Sequence, residues 1–203
     1  MKNFVLIIIA VLLYSPVEAQ EKYAFFNAQL GIESYQLNTP HNLPGFNPAN
    51  LFSIGASSSY QLGNKLLGLE FSYANGDTYA EATNRQVIAF SNTIFGGYLL
   101  HNGKRLKVIP SVGLAWQQIQ TIYSSTNDSY NLQNAQLQLN HAIRLILKQQ
   151  NNMFIGIKAG YKFGFCRSDW KDKITRQEAD FNGGYNSFHL QLLVGGILDL
   201  KKR

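Results

Sequence analysis

The sequence predicts an all-β fold: eight antiparallel strands closing into an up-and-down transmembrane β-barrel behind a cleaved signal peptide. Three observations carry that expectation. Eight segments alternate apolar with small or polar residues, the connectors between them alternate short and long, and the chain opens on a secretion-type leader. The clearest segment is Leu66-Leu67-Gly68-Leu69-Glu70-Phe71-Ser72-Tyr73. In a strand, successive side chains point to opposite faces, so Leu67, Leu69, Phe71 and Tyr73 share one side, and Gly68, Glu70 and Ser72 the other.

The leader comes first. Met1-Lys2-Asn3 supplies a short positive start, Phe4 to Tyr14 is apolar, and Ser15-Pro16-Val17-Glu18-Ala19 ends in small residues, placing cleavage before Gln20. Residues 1–19 are therefore read as a signal peptide and 20–203 as a single barrel domain. The apolar run is shorter than the roughly 20 residues a spanning helix needs. No later stretch is long and apolar enough either, so any membrane crossing must be made by strands.

Composition narrows the classes further. The net charge is +6, but charged residues make up only 15% and aromatics 13%. The basic residues Arg105, Lys107, Arg144 and Lys148 are scattered along the chain, whereas a nucleic-acid binder wants a clustered basic face. Cys166 is the single cysteine, which excludes an intramolecular disulfide and a cysteine-based metal site.

The strands read, in order, as 24–36, 51–62, 65–75, 86–100, 105–120, 134–148, 153–165 and 185–200. Each exceeds the roughly 9–11 residues of a tilted membrane strand. Gly63-Asn64, His101-Asn102-Gly103-Lys104 and Gln149-Gln150-Asn151-Asn152 are tight connectors, the second with an Asn-Gly turn signal. The other four, 37–50, 76–85, 121–133 and 166–184, are expected to be long loops. Short turns on the periplasmic side and long loops outside are the pattern of outer-membrane barrels, and an even strand count returns both termini to the periplasm.

Parity assigns the faces. The lipid side is expected to carry Phe52, Ile54, Ala56, Ser58 and Tyr60 on the second strand and Val112, Leu114 and Trp116 on the fifth. The seventh and eighth strands would add Ile155, Ile157, Tyr161, Phe188, Leu190 and Leu192. Tyr60 and Tyr98 near one end, and Tyr73, Trp116 and Phe163 near the other, fall where aromatic girdles belong. A soluble lipocalin-type barrel would use the opposite sense, apolar inside and polar outside. The Gly- and Ser-rich, weakly charged second face suits a packed eight-strand interior instead.

The inward parity collects Asn27, Gln29 and Glu33 from the first strand, Glu70 from the third and Lys107 from the fifth. It adds Gln136, Gln138, Asn140 and Arg144 from the sixth, Lys158 and Lys162 from the seventh, and His189 and Gln191 from the eighth. A charge in such an interior needs a partner, because desolvating an unpaired ion costs several kcal/mol. Heights above the short turns predict that Glu70 meets Arg144 or Lys158, and Glu33 meets Lys162, as a structural polar cluster with Lys107 on the same face.

No catalytic, cofactor or metal site is expected. A serine nucleophile needs its base within hydrogen-bond reach. Two residues after the lipid-facing His141 stands Ile143, and two after His189 stands Gln191. Pro110 weakens the ladder in the fifth strand, which reads as a bulge or bend; a lateral opening for lipid is the sharper alternative. The long loops carry the remaining candidates, with the aromatics Phe46, Tyr79, Tyr123, Tyr130, Trp170 and Phe181 expected to be exposed. The last loop also holds the nearly balanced charges Arg167, Asp169, Lys171, Asp172, Lys173, Arg176, Glu178 and Asp180.

With the leader, the strands and Phe154-Ile155-Gly156-Ile157-Lys158-Ala159-Gly160-Tyr161 in place, the chain resembles the small outer-membrane β-barrel domains of Bacteroidetes. These are often called PorT-like, and are distantly similar to OmpX-type barrels. One departure is that the chain ends Leu198-Asp199-Leu200-Lys201-Lys202-Arg203, without the terminal aromatic such barrels often carry. The resemblance implies a monomeric, non-enzymatic protein of the cell outer membrane, in contact with outer-membrane lipid and without a cofactor. It also implies a structural role, or one exercised on a protein partner through four long extracellular loops in envelope and secretion assemblies. The alternatives are a lipid A-modifying enzyme and a narrow channel.

Overall fold

Alternation with period two gives each strand one face for the barrel interior and one for lipid, and the computed structural model shows where each strand begins and ends. It describes residues 22–37, 49–80, 83–103, 105–125, 129–148, 152–173 and 185–200. The leader, the connector 38–48, the loop 174–184 and the last three residues lie outside the described residues.

Eight long strands are present: β1 Lys22–Leu37, β2 Ala49–Leu62, β3 Lys65–Ala80, β4 Thr83–Tyr98, β5 Leu106–Ser125, β6 Ser129–Lys148, β7 Met153–Arg167 and β8 Tyr185–Asp199. Consecutive strands pair antiparallel, and β1 pairs with both β2 and β8, so the sheet closes and leaves no edge within the wall. The barrel is staggered. Following partners around the wall from Phe25 leads through Ser59, Gly68, Phe95, Gly113, Asn140, Lys162 and Ser187 to Tyr35, ten residues further up β1. Such a stagger tilts the strands by roughly 35–45° and leaves an eight-strand interior just wide enough for its own side chains.

Burial follows parity throughout. Leu67, Leu69 and Ile94 are about 60% exposed on the outer face (58%, 60% and 61%), whereas their inward neighbours Leu66, Glu70 and Phe95 are buried. The outer face is an apolar belt around all eight strands, with Tyr60 and Tyr98 toward one end and Phe90, Trp116 and Phe163 toward the other. Gly63 turns β2 into β3 at a φ of 57°, and Leu200 N donates to Lys22 O, so the first and last described residues meet at the end of the short turns.

Two of the expected long loops are mostly strand. Residues 76–80 continue β3 and 83–85 begin β4, and the ladder persists to Ala80↔Thr83. Likewise 121–125 and 129–133 extend β5 and β6 up to Ser124↔Ser129. Four long extracellular loops are thus corrected to two long connectors, 38–48 and 168–184, beside two tall hairpins. The physical reason is that above the lipid the outward face no longer has to be apolar. Polar residues then occupy both faces, and the alternation that marks a strand fades from view.

Pro110 is a ladder break, not a gap in the wall. The carbonyl of Val108 accepts from Leu100 N on the β4 side, so two residues on, the ring nitrogen of Pro110 faces that same side. The β4–β5 ladder ends at Gly97↔Ser111 and resumes one residue out of step as His101↔Val108. Pairing of Pro110 with Ile143 on β6 is intact. The missing N–H therefore coincides with the register change and costs no bond to β6.

Candidate functional site

The lumen is filled in three layers, each built from inward-facing residues of several strands. At the end of the short turns, Phe25, Leu66, Phe95, Ile109, Phe154 and Leu193 form an apolar plug. Phe25 and Phe154 meet edge to face with centroids 6.1 Å apart. Lys107 lies in this layer. Its ammonium sits 4.9 Å from the Tyr23 ring centre and 5.3 Å from that of Phe25, and donates to Gln61 Oε1 at 3.4 Å. Lys107 is thus buried beside the plug.

The middle layer holds the ions. Glu70 on β3 faces across the lumen to Lys158 on β7, and its Oε1 accepts a hydrogen bond from Lys158 Nζ. Its Oε2 accepts from Arg144 on β6 at 3.1 Å and from Gln29 Nε2 at 3.2 Å. Lys158 Nζ also donates to Gln191 Oε1 at 3.0 Å, and Gln191 Nε2 to Ser53 Oγ at 3.1 Å. Arg144 donates to Ser111 Oγ and stacks 3.8 Å from the Phe95 ring centre, joining this layer to the plug below. One carboxylate thus serves two cations, an arrangement tolerable only because neutral side chains supply the remaining hydrogen bonds.

Slightly higher, Lys162 Nζ donates to Glu33 Oε1 at 2.7 Å, and Ser187 Oγ donates to the same oxygen at 2.7 Å. The structure therefore gathers Glu70, Arg144 and Lys158 into one cluster and Glu33 with Lys162 into a second. His189 is 1% exposed between them, with neither ring nitrogen hydrogen-bonded among the described residues. Its ring lies over Gly160, where an added Cβ would come within 2.6 Å of Nε2, so glycine at 160 makes room for the imidazole.

The extracellular end is closed by aromatic side chains. Tyr35 and Tyr185 stand 5.9 Å apart, Gln117 Nε2 donates to Tyr35 Oη, and Tyr185 Oη donates to Gln117 O at 3.2 Å. Above them Trp170 is 1% exposed among Leu51, Val87, Ile119 and Leu132. The segment after β7 folds back to bring it there. Ser168 N donates to Ala135 O, Lys173 N donates to Asn131 O, and Lys171 and Asp172 pair with Gln133 and Leu132 at the edge of β6.

Trp170 and Tyr123 were expected to be exposed loop aromatics and are buried instead; Phe46 and Phe181 lie outside the described residues. Arg85, from a stretch expected to be loop, is also buried on the inner face. A parity count extended past residue 86 would have placed Arg85 with Val87 and Ala89. No local signal marks Trp170, whose neighbours Asp169, Lys171 and Asp172 are all charged.

His141 stands exposed on the lipid face with Val112 and Tyr161 as register partners, and no serine or cysteine beside it. Among the described residues, no group of three or more histidine, cysteine or acidic side chains is placed to hold a metal ion.

A closed eight-strand meander with an apolar belt, aromatic ends and a polar, packed lumen defines a class: the small β-barrels of the cell outer membrane. Solved structures of that class superpose on the chain. A major outer membrane protein from Thermus thermophilus aligns with TM-score 0.56 and 11% identity over 86% of this chain and 99% of its own. Ail, the attachment invasion locus protein of Yersinia pestis, aligns with TM-score 0.55 and 10% identity over 88% and 99%. Neisserial surface protein A aligns with TM-score 0.51 and 12% identity over 86% and 96%. At these identities the likeness is one of fold. No protein-family model matches the chain, and no curated protein matches it.

Proposed function

We propose that the protein is a non-enzymatic, non-conducting outer-membrane barrel that acts through its extracellular end, as a structural element or docking platform for a protein partner. The observation that carries this reading is the lumen, occupied from the apolar plug through the two ion clusters to the Trp170 cap. An interior so filled supports neither a solute path nor a substrate pocket, which leaves the two hairpins and the two long connectors to meet other molecules. The resemblance to PorT-like barrels points the same way, toward a monomer in envelope and secretion assemblies.

Two measurements test it. Reconstituted in planar bilayers, the protein is expected to give no single-channel steps, and discrete steps would favour the narrow channel. The acyl pattern of lipid A, compared by mass spectrometry with and without the gene, is expected to be unchanged; a gained or lost acyl chain would replace this reading with an enzymatic one.

A further inference from the structure

The tall part of the wall carries a surface of a different kind from the rest of the outer face. Above the aromatic pair Tyr73 and Phe90, whose rings lie 5.0 Å apart, β3 to β6 continue as a four-stranded sheet beyond the apolar belt. From Phe90 to the start of β4 at Thr83 this adds roughly 20 Å along the strand. Its inward side is buried, with Arg85, Val87, Ile119 and Thr121 among the residues beneath it. Its outward side is continuous with the lipid belt below, and there the chemistry changes from aliphatic to amide.

Gln86, Gln118, Gln120, Asn131 and Gln133 face outward on three adjacent strands, and cross-strand pairing sets Gln120 beside Gln133. Gln120 Nε2 donates to Asn131 Oδ1 at 2.8 Å, so neighbouring amides already order one another. On the outward parity of β4, β5 and β6 above the girdle, no residue is charged. Among the described residues, charge reaches this side from Asp77 on β3, from Lys171 opposite Gln133 in register, and from Lys173, whose Nζ donates to Gln120 Oε1 at 3.1 Å.

We infer that this amide face is seated against the neutral sugar headgroups of outer-leaflet glycolipid. The height is that of the layer next above the acyl chains, because the face begins where the aromatic girdle ends and continues the lipid contact upward. The chemistry fits hydroxyl groups. Each carboxamide offers both donors and an acceptor, as a hydroxyl requires. Ile88 and Ile122 between the amides give sugar C–H faces an apolar surface to rest on. The inference stands on the outer-membrane placement and is independent of a partner docking at the mouth.

The intact protein, purified in detergent, is to be titrated with two lipopolysaccharides: one with a full sugar core, one truncated to lipid A with its phosphates retained. Tighter binding of the sugar-bearing form by about tenfold is expected, the scale of one or two net hydrogen bonds. The double variant Gln118→Leu/Gln133→Leu is expected to lose that preference while binding the truncated lipid as before. Retained heat-modifiable gel mobility shows that the variant is folded. Equal affinity for the two lipids, or a preference unchanged in the variant, would overturn the inference; the latter would leave the face to a protein.

Discussion

Glu70→Gln keeps the shape of the side chain and removes the charge that Arg144 and Lys158 share. Both cations are buried, with side-chain exposures of 5% and 1%. Lys158 would retain Gln191 Oε1 and Arg144 would retain Ser111 Oγ, but neither would have a counter-ion in contact. Breaking a buried pair by removing one partner costs about 3–5 kcal/mol. With two cations stranded at once, and one amide oxygen left to accept, the upper part of that range, about 4–5 kcal/mol, is expected. Against a typical total stability of about 5–15 kcal/mol this is a large fraction. The second half of the experiment isolates the charge. Adding Lys158→Met to Glu70→Gln removes one stranded cation and substitutes an adaptable apolar chain of similar length, which should restore about 2 kcal/mol. Urea unfolding of the protein in lipid vesicles, followed by tryptophan fluorescence and by heat-modifiable gel mobility, measures all three proteins. A loss below about 1 kcal/mol in the single variant would refute the reasoning. So would a double variant no more stable than the single, since the cost would then not lie in uncompensated charge.

The other expectations are smaller in scope. Trp170→Ala should cost about 3–5 kcal/mol through the cavity it leaves, read by urea unfolding, while bilayers should stay silent because the ion clusters and the lower plug remain. Glu33→Gln strands only Lys162 and should destabilise less than Glu70→Gln in the same titration; an equal or larger loss would contradict the one-to-two sharing at Glu70. Gly160→Ala should destabilise by about 1–3 kcal/mol, since the new methyl meets the His189 ring and the wall beside it; a neutral result would show that the imidazole is free to move. Ile94→Arg, in the middle of the lipid belt, should cost about 2–4 kcal/mol in vesicles, whereas Ser124→Arg, at the tip of a hairpin, should be near neutral. Similar losses at the two positions would place the membrane boundary wrongly.

Within the membrane the wall was legible residue by residue, because two solvents impose opposite demands on alternate side chains. Parity alone put Glu33, Glu70, Arg144, Lys158 and Lys162 inside and Ile54 and Leu114 outside. Outside the bilayer that constraint lapses. Thr121-Ile122-Tyr123-Ser124 continues a strand whose buried face takes in Thr121 and Tyr123, yet it opens the stretch 121–133 that reads as a polar connector. Heights along strands were legible only to within the stagger, enough to bring Glu70 near two cations without saying that it takes both. Lys107 shows the same limit: parity placed it inside, but only its level in the barrel set it beside Tyr23, Phe25 and Gln61. Trp170 was beyond reach, since its burial depends on a segment folding back onto an edge of β6 that exists only because the strand runs past the membrane.

The stagger of ten residues and the eight strands together bound what the protein can do. That geometry sets an interior that side chains fill, and here they fill it with long ones: Arg144, Lys158 and Lys162 reach inward and Phe25, Phe154, Tyr35 and Tyr185 close the two ends. To conduct, such a barrel would have to clear the plug, the ion clusters and the cap alike. What the fold does not require is the height of β3 to β6. A membrane strand is complete at the girdle, and the ladder to Ala80 and Ser125 adds chain that does not span lipid. Residues beyond structural need are where a role is to be sought, and both faces of that extension are already specialised: the inner one holds the Trp170 cap in place, and the outer one turns amides toward the layer in which the barrel stands.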